Sequence, residues 1–297
     1  MKKLMLLHNR HTPDDQDIWK VAINRGWSTA RVNQHDVKEA MEGYDYVRYY
    51  GNTLHGAQIE SQLPIRFLEI DYEILEKLDP LYVGRNIEYL KFKDVKQPIE
   101  RDCFIKPARD KFFEAKVYRK GDVIQGAPQG DDQTYVSDIV SFADEVRCFV
   151  LNGKVLTSSL YRIGKISYQE IDMPPEHINF DKQINDTLIP KMVRAICDDH
   201  PMPKGFVIDF GRIEGGNDWF VIEFNEAWAC GLYYCNPEKC FDVIEASECA
   251  ADLFYSKREK EFMQMRCQRF MTIPNFGKPL AQEPKISMLE RLPHAGL

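Results

Sequence analysis

Three side chains with hard oxygen ligands, Asp209, Glu223 and Asn225, lie in two apolar runs that are close in the sequence. The runs cover residues 205–210 and 219–224, and the turn residues Gly-Gly-Asn-Asp between them predict a β-hairpin with a longer loop. Because residues i and i+2 of a strand point to the same face, Glu223 and Asn225 should emerge side by side. Two carboxylates and an amide oxygen suit Mg²⁺ or Mn²⁺, and phosphate oxygens and water usually complete such a shell.

Acidic residues in strands can instead form the solvated face of an antiparallel sheet. Here, however, Asp209 stands between Ile208 and Phe210, and Glu223 is also flanked by apolar residues. A carboxylate in such a run costs free energy unless a cation or hydrogen-bond donors compensate it. We therefore favour a metal site over a solvated sheet face.

The composition is that of an ordinary globular protein, with 44% hydrophobic residues and a net charge of −7 from 39 basic and 46 acidic residues. This balance gives no general affinity for nucleic acid or anionic membranes, although it leaves room for a local basic cleft. The apolar run at residues 4–7 is too short for a signal core or a membrane span, and it predicts a strand of a cytoplasmic protein. The eight cysteines are expected to be reduced thiols, and the spacing of Cys230, Cys235 and Cys240 does not match a zinc site.

The N-terminal part alternates strand-like and helix-like runs, which predicts a small α/β layer. A strand at residues 4–7 precedes a helix at 14–25, a strand at 46–50 and an amphipathic segment at 68–78. From residue 103 to about 155 the pattern is rich in strands, and Asn152-Gly153 predicts a two-residue hairpin turn. Helices are predicted at residues 184–199 and 246–270, and the last residues are expected to wrap the surface or lack order.

Four motifs between about residues 100 and 228 together resemble the ATP-grasp superfamily. They are the strand-end lysine of Phe104-Ile-Lys106-Pro107, the linker-like segment from Val136 to Glu145, the strand start Glu145-Val-Arg147, and Asp209…Glu223-x-Asn225 at the spacing of that family's magnesium ligands. Each motif is weak alone, but their order and spacing make the match specific. The chain is most similar to the small bacterial and phage ATP-grasp proteins, and more distantly to D-alanine–D-alanine ligase.

The resemblance implies an α+β protein with an α/β N-terminal layer, in which two lobes built on antiparallel sheets hold the nucleotide between them. We expect an N-terminal domain at residues 1–95, a small lobe at 96–141 and a large lobe at 142–255. Residues 256–297 would form the end of a C-terminal helix and a surface tail.

The resemblance also implies roles for individual residues in binding ATP. Lys106 would contact the phosphates, and the following loop would close over them, although this loop lacks the family's usual glycines. Lys111 and Lys116 both remain candidates for the second phosphate lysine. Backbone groups at the hinge would bind adenine, and Glu145 would accept hydrogen bonds from the ribose. The expected ATP-binding residues are Lys106, Arg109, Lys111, Lys116, Asp138, Ile139, Val140 and Glu145, and the expected metal ligands are Asp209, Glu223 and Asn225.

Two arginines compete for the catalytic role of stabilising the transition state. D-alanine–D-alanine ligases carry an arginine three residues before the first metal ligand, where this chain has Phe206, so Arg147 or Arg162 would have to replace it. Lys165 and Trp228 are candidate substrate contacts. Surface placement of Arg162 and Lys165, and core packing of Trp228, are equally open alternatives. Tyr49, Tyr50, His55 and Tyr161 are likewise either pocket residues or core and rim residues.

The function implied is an ATP- and Mg²⁺-dependent ligase that joins a carboxylate to an amine, or to a thiol, through an acylphosphate with release of ADP and phosphate. Mn²⁺ could replace Mg²⁺. The substrate would be a small molecule or peptide, with no membrane or nucleic-acid partner expected, and the sequence leaves the oligomeric state open. The alternatives are a phosphotransferase built on the same lobes and an ATP-binding module that has lost catalysis. The intact Asp-Glu-Asn set argues against such a loss, and an adenylyl-transferring ligase is disfavoured.

Overall fold

Three separate sheets and a two-stranded ladder organise the chain, as seen in a computed structural model that describes residues 1–33, 35–109, 112–126, 128–167 and 178–250. These residues fall within one compact unit, Met1–Tyr255. Lys111, the predicted tail at 256–297 and most of the predicted helix at 246–270 lie outside the described residues. No helix among the described residues is long and apolar enough to cross a membrane.

The N-terminal layer is a three-stranded parallel sheet in the order β2-β1-β3, covered by helices. The first helix starts where the sequence signals it, since Thr12 and Asp15 cap each other's backbone in a capping box and Pro13 occupies the first turn. The elements of this layer are β1 (Lys3–His8), α1 (Pro13–Asn24), β2 (Ser28–Val32), α2 (Val37–Ala40), β3 (Tyr46–Tyr50), α3 (Thr53–Glu60), β4 (Ile65–Phe67), α4 (Ile74–Lys77) and α5 (Pro80–Val83).

A four-stranded antiparallel sheet in the order β5-β8-β6-β7 follows the N-terminal layer. Its strands are β5 (Ile87–Lys91), β6 (Cys103–Pro107), β7 (Lys116–Tyr118) and β8 (Gln133–Ser137). Although β5 lies within the predicted N-terminal domain, its backbone pairs with β8 along its whole length. Residues 138–141 then connect this small sheet to the next one.

The five-stranded antiparallel sheet has the order β11-β10-β9-β12-β13. Its strands are β9 (Phe142–Leu151), β10 (Lys154–Ile163), β11 (Ile166–Ser167), β12 (Gly205–Ile213) and β13 (Trp219–Asn225). Asn152 and Gly153 both have left-handed backbone angles, with φ of 50° and 72°, which a primed two-residue turn between β9 and β10 requires. The predicted hairpins at 146–160 and 205–225 are therefore present.

The helices after residue 183 differ from those predicted at residues 184–199 and 246–270. Residues 184–186 form only a 3₁₀ turn, and α6 (Ile189–Asp199) starts afresh with Pro190 in its first turn, where a missing N–H costs nothing. Helix α7 (Pro237–Ala246), capped by the Asn236 side chain, was not predicted. The chain then forms β14 (Glu248–Ala250) instead of a helix, because these residues pair antiparallel with β4.

Side-chain alternation in the five-stranded sheet separates a closed face from a partly polar one. On the closed face Val146, Cys148 and Ile208 join the core beneath α6. On the opposite face Phe149 and Val207 pack with α7 and the N-terminal layer at one end. The remainder of that face carries charged residues, and these form the candidate site.

Candidate functional site

Strand pairing places Arg147, Asp209 and Glu223 in one row across three neighbouring strands. Asp209 of β12 lies directly opposite Arg147 of β9 and opposite Glu223 of β13. The Arg147 guanidinium donates two hydrogen bonds to the Asp209 carboxylate, from Nε to Oδ1 at 2.9 Å and from Nη2 to Oδ2 at 2.7 Å. Both side chains are almost completely buried. This bidentate pair is a strong form of charge-assisted hydrogen bond.

The third predicted ligand joins the two carboxylates. The Asn225 Nδ2 group donates to Asp209 Oδ2 at 3.3 Å and to Glu223 Oε1 at 3.2 Å. Lys106, at the end of β6 in the small sheet, donates from Nζ to Glu223 Oε2 at 2.5 Å. The cluster therefore draws its residues from both antiparallel sheets.

The two carboxylates have opposite pKa shifts because their surroundings differ. Burial raises the pKa of Asp209 to about 6, although the Arg147 guanidinium acts to lower it. Burial also acts to raise the pKa of Glu223, but the Lys106 ammonium outweighs it and brings that pKa down to about 2. At neutral pH both carboxylates are charged, and two cationic side chains balance them.

The ligand chemistry of this cluster fits a magnesium ion. A carboxylate has about four lone-pair sites, and Asp209 uses three of them in the contacts above, while Glu223 accepts from Lys106 and Asn225. The described residues contain no group of three or more His, Cys, Asp and Glu side chains that could hold a metal. Two carboxylates and one amide would leave coordination positions of the ion open, as expected for Mg²⁺ bound together with phosphate and water. Asn225 would have to turn its amide so that the oxygen faces the ion.

Several contacts besides the pair with Asp209 hold the Arg147 side chain in place. Its Nη1 group donates to the Gly231 carbonyl at 2.9 Å, and its guanidinium lies 4.0 Å from the centre of the Tyr233 ring. Tyr233 and Tyr234 have φ angles of 49° and 64°, a left-handed conformation that is uncommon for bulky residues. The Ser159 hydroxyl, which donates to the Tyr233 carbonyl, helps to hold this segment. Strained backbone of this kind persists only where its surroundings enforce it.

The other predicted catalytic arginine lies at the outer part of the same sheet. Arg162 donates from Nη1 to Glu145 Oε1 at 2.7 Å, and its side chain is 45% exposed whereas that of Glu145 is mostly buried. Lys165 is exposed in the turn between β10 and β11. The two cations are thus more accessible than Arg147.

The predicted hinge residues lie in the connection between the two sheets. The Asp138 carboxylate accepts hydrogen bonds from the backbone and side-chain nitrogens of Asn86 and from Arg101. Burial acts to raise the pKa of Asp138, but these donors outweigh it and lower the pKa. Ile139 is exposed and Val140 is half-buried. Contacts of this segment with adenine stay a prediction.

Three other predicted residues pair with partners outside the cluster. Arg109 pairs with Glu69 at 2.7 Å and approaches Glu226 at 3.6 Å, so its guanidinium is engaged in a buried ionic group. Lys116 lies on the edge strand β7, 49% exposed, where it pairs with Glu114. Trp228 is only 2% exposed and stacks on Phe67 at a centroid distance of 4.2 Å, which favours the core interpretation over a substrate wall.

Several site neighbours carry no sequence signal of their own. Arg85 donates to the carbonyls of Val221 and Ile222, and so fixes the free edge of β13 just before Glu223. The Tyr72 hydroxyl donates to both oxygens of Glu226, the residue after Asn225. These partners are 136 or more residues apart in the sequence, and local patterns do not predict such contacts.

Comparison with known proteins identifies the fold as that of an ATP-grasp protein. A sequence model of the ATP-grasp domain, R2K clade family 2, matches residues 82–243, which is more than half of the chain. The chain therefore belongs to this family, and the predictions of ATP-grasp membership and fold are confirmed. No curated protein matches the sequence.

Solved structures similar to this chain share little sequence with it. The ATP-grasp ligase PsnB complexed with minimal precursor is 10% identical, with a TM-score of 0.46 over 83% of this chain and 99% of that one. D-alanine–D-alanine ligase from Bacillus anthracis complexed with ATP is 12% identical, with a TM-score of 0.44 over 91% of this chain and 100% of that one. D-cycloserine synthetase DcsG is 10% identical, with a TM-score of 0.46 over 82% and 98% of the two chains.

Proposed function

We propose that this protein is an ATP- and Mg²⁺-dependent ligase that joins a carboxylate to an amine. The observation that carries the proposal is the four-residue charge cluster in which Arg147 pairs with Asp209 and Lys106 pairs with Glu223, assembled from both sheets of an ATP-grasp chain. Carboxylates that ligate a metal, next to a lysine that can move to phosphate, are the groups that phosphoryl transfer needs.

Lys106 has two states in this proposal. Without nucleotide its ammonium neutralises Glu223. When ATP binds, the ammonium would turn to the phosphates, and Glu223, Asp209 and Asn225 would hold Mg²⁺, which supplies neutralisation of the phosphate charge. The hinge residues Asp138, Ile139 and Val140, with Glu145, would hold the adenosine.

The reaction would proceed in two transfers. A substrate carboxylate oxygen attacks the γ-phosphorus of ATP, and the bond to the β-phosphate oxygen breaks, which gives an acylphosphate and ADP. The amine nitrogen then attacks the acyl carbon, phosphate leaves with the electron pair of the C–O bond, and the amine loses a proton to solvent or a basic side chain. Amide formation thus consumes one ATP.

The contacts divide the two candidate arginines between different roles. Arg147 is locked onto Asp209 and the Gly231 carbonyl, so we assign it the positioning of a metal ligand. Arg162 is half-exposed and held by Glu145, so it can reach a transferring phosphoryl group together with Lys165. We therefore assign the stabilisation of the transition state to Arg162.

Product analysis tests the proposal. The protein is incubated with Mg²⁺-ATP and a panel of amino acids and short peptides, and the products are followed by phosphate release and mass spectrometry. ADP, free phosphate and a new amide support the ligase, whereas ADP with a stable phosphorylated product indicates the phosphotransferase alternative. AMP with pyrophosphate, or no consumption of ATP under any condition, would contradict the proposal. Glu223→Gln serves as the inactive control.

A further inference from the structure

A bulge in β10 turns two neighbouring side chains toward the candidate site. Ser159 of β10 lies opposite Arg147 of β9. Three residues further along β10, Arg162 lies opposite Glu145, which is only two residues before Arg147. The extra residue of β10 at this register shift is Tyr161, and bulges of this kind re-aim side chains, often next to active sites. Tyr161 and Arg162 are therefore consecutive in the sequence and yet both lie on the face of the sheet that carries Arg147.

The ring of Tyr161 lies among the residues of the charge cluster. Its centre is 5.7 Å from the Arg147 guanidinium and 5.1 Å from the centre of the Tyr233 ring. The charges of Asp209 and Glu223, the two predicted carboxylate ligands of the metal, are also close enough to act on Tyr161. The sequence left Tyr161 as either a pocket residue or a core or rim residue, and these contacts place it at the candidate site.

The Tyr161 hydroxyl is available to a ligand. It forms no hydrogen bond with the residues that the structure describes, and none contributes to its ionisation. The residue is partly exposed, and its oxygen is not one of the polar atoms that are buried without a partner. A phenol can donate one hydrogen bond and accept others. The hydroxyl therefore offers a donor to whatever binds over this face of the sheet.

The surroundings of Tyr161 keep its hydroxyl protonated. Burial raises the pKa of Tyr161 well above its usual value, and the carboxylates of Asp209, Glu145 and Glu223 act in the same direction, while Arg147 opposes them. The side chain is therefore a neutral donor at any physiological pH. Unlike a lysine, a neutral phenol can stand beside the Arg147 guanidinium without charge repulsion.

We propose that the Tyr161 hydroxyl donates a hydrogen bond to the γ-phosphate of ATP and keeps this contact while the phosphoryl group is transferred to the substrate carboxylate. The proposal rests on the proposed function, because the phosphates lie over this face only if Asp209 and Glu223 hold Mg²⁺. Arg162, the neighbour of Tyr161 in the bulge, would contact the same group. The hydroxyl keeps its proton throughout, so it stabilises charge on the phosphoryl oxygens and is neither a general acid nor a general base.

Nucleotide binding by the full chain tests the contact without turnover. Tyr161→Phe removes the hydroxyl and keeps the ring beside Arg147. Its affinity is measured by titration calorimetry with Mg²⁺ and either ADP or the non-hydrolysable ATP analogue AMP-PNP. We expect AMP-PNP to bind about tenfold or more weakly, as for the loss of a hydrogen bond to a charged group, and ADP to bind unchanged. Tyr46→Phe, which loses a hydrogen bond to Glu245 in the N-terminal layer, should bind both nucleotides like the unchanged protein.

The outcomes separate this contact from the proposed function. Equal losses of affinity for AMP-PNP and ADP would show that Tyr161 only supports the fold of the site, and unaltered affinity for both would overturn the contact as well. If the unchanged protein binds neither nucleotide, the contact and the ligase fail together. A loss confined to AMP-PNP, in a protein that forms no amide with any substrate, would uphold the contact and contradict the ligase.

A fluorine label gives a second measurement that keeps the hydroxyl and does not depend on the folding of Tyr161→Phe. The protein carries 3-fluorotyrosine at position 161 alone, and its ¹⁹F resonance is followed with Mg²⁺ and each nucleotide. We expect AMP-PNP to shift the resonance more than ADP does, because only AMP-PNP has the third phosphate. The same label at position 46 should respond to neither. Equal shifts at position 161 with the two nucleotides, or no shift with AMP-PNP at saturation, would contradict the contact.

Discussion

At the scale of single residues, Asp209 and Glu223 are neighbours that differ in burial and in their hydrogen-bond partners. Asp209 is fully buried and accepts two hydrogen bonds from the Arg147 guanidinium, so it stabilises the fold as well as the site. The Glu223 side chain is 33% exposed, and its partner Lys106 comes from the other sheet. Removal of the two carboxylates should therefore have different consequences.

Glu223→Gln should abolish Mg²⁺-dependent turnover and cost less stability than Asp209→Asn, because solvent reaches the Glu223 side chain and screens its ion pair with Lys106. Asp209→Asn should also abolish turnover, but it should cost on the order of 3 kcal/mol of stability because Arg147 stays buried without its counter-charge. Urea unfolding and isothermal titration with Mg²⁺-ATP measure the two effects. Equal stability of the two variants would show that the Asp209–Arg147 pair is not a stabilising contact.

Lys106 and Lys116 provide a matched pair for the phosphate contact. Lys106→Met should weaken ATP binding about tenfold or more, since a charge-assisted hydrogen bond contributes about 1.5–3 kcal/mol. Lys116→Met removes an exposed lysine whose partner Glu114 is exposed as well, so we expect no change in ATP affinity. Titration calorimetry of both variants decides the matter. A larger loss for Lys116→Met would mean that β7 carries the phosphate lysine.

At the scale of elements, local patterns predicted the hairpins and not their register. Asn152-Gly153 and the alternation around Glu223 and Asn225 depend on neighbours in sequence, and the structure has both hairpins. The pairing of Arg147 with Asp209 joins residues 62 positions apart, so it depends on how β9 and β12 align. The sequence therefore made Arg147 a candidate catalytic residue without showing that its charge is already engaged by Asp209.

A buried ionic group joins the small sheet, the N-terminal layer and the large sheet next to the site. Arg109, after β6, pairs with Glu69 and lies over the Tyr72 ring, while the Tyr72 hydroxyl donates to Glu226 at 2.6 Å. Arg109 is three residues from Lys106, and Glu226 directly follows Asn225. This group fixes the relative positions of the candidate phosphate lysine, Lys106, and the candidate metal ligand, Asn225.

Arg109→Met should destabilise the protein by about 3 kcal/mol, because it leaves the buried Glu226 carboxylate and the partly buried Glu69 carboxylate without their cation. Arg101→Met is the matched control, since the ion pairs of Arg101 with Glu88 and Asp138 are exposed and their loss should cost about 0.5 kcal/mol or less. Chemical denaturation followed by circular dichroism gives both values. A small loss for Arg109→Met, combined with a large loss of ATP affinity, would instead place Arg109 on the phosphates.

At the scale of the whole molecule, the order of the motifs predicted the fold. It did not predict how the N-terminal layer packs against the segment after β13. The α/β layer and the two antiparallel sheets follow from hydrophobic periodicity and the family resemblance. The contacts that bring the N-terminal layer against residues 228–232 join positions far apart in the sequence, and the bond from Tyr50 to Cys230 spans 180 positions. Such contacts depend on complementary surfaces that no local pattern encodes, which explains why Trp228 could be read as either core or pocket.

Trp228 tests how the N-terminal layer is held to the large sheet. Its ring stacks on Phe67 of β4 and lies close to Tyr49 of β3, and its Nε1 atom is buried without a hydrogen-bond partner among the described residues. Trp228→Ala should therefore cost about 3–5 kcal/mol of stability through the cavity it opens. Trp228→Phe should cost less, because it keeps an aromatic ring in the cluster and removes the unsatisfied N–H. Thermal and urea unfolding measure both variants, with the half-exposed Trp19→Ala as a control expected within about 0.5 kcal/mol. If the Trp228→Ala protein were stable and had lost only acceptor binding, the result would indicate that Trp228 contacts the substrate.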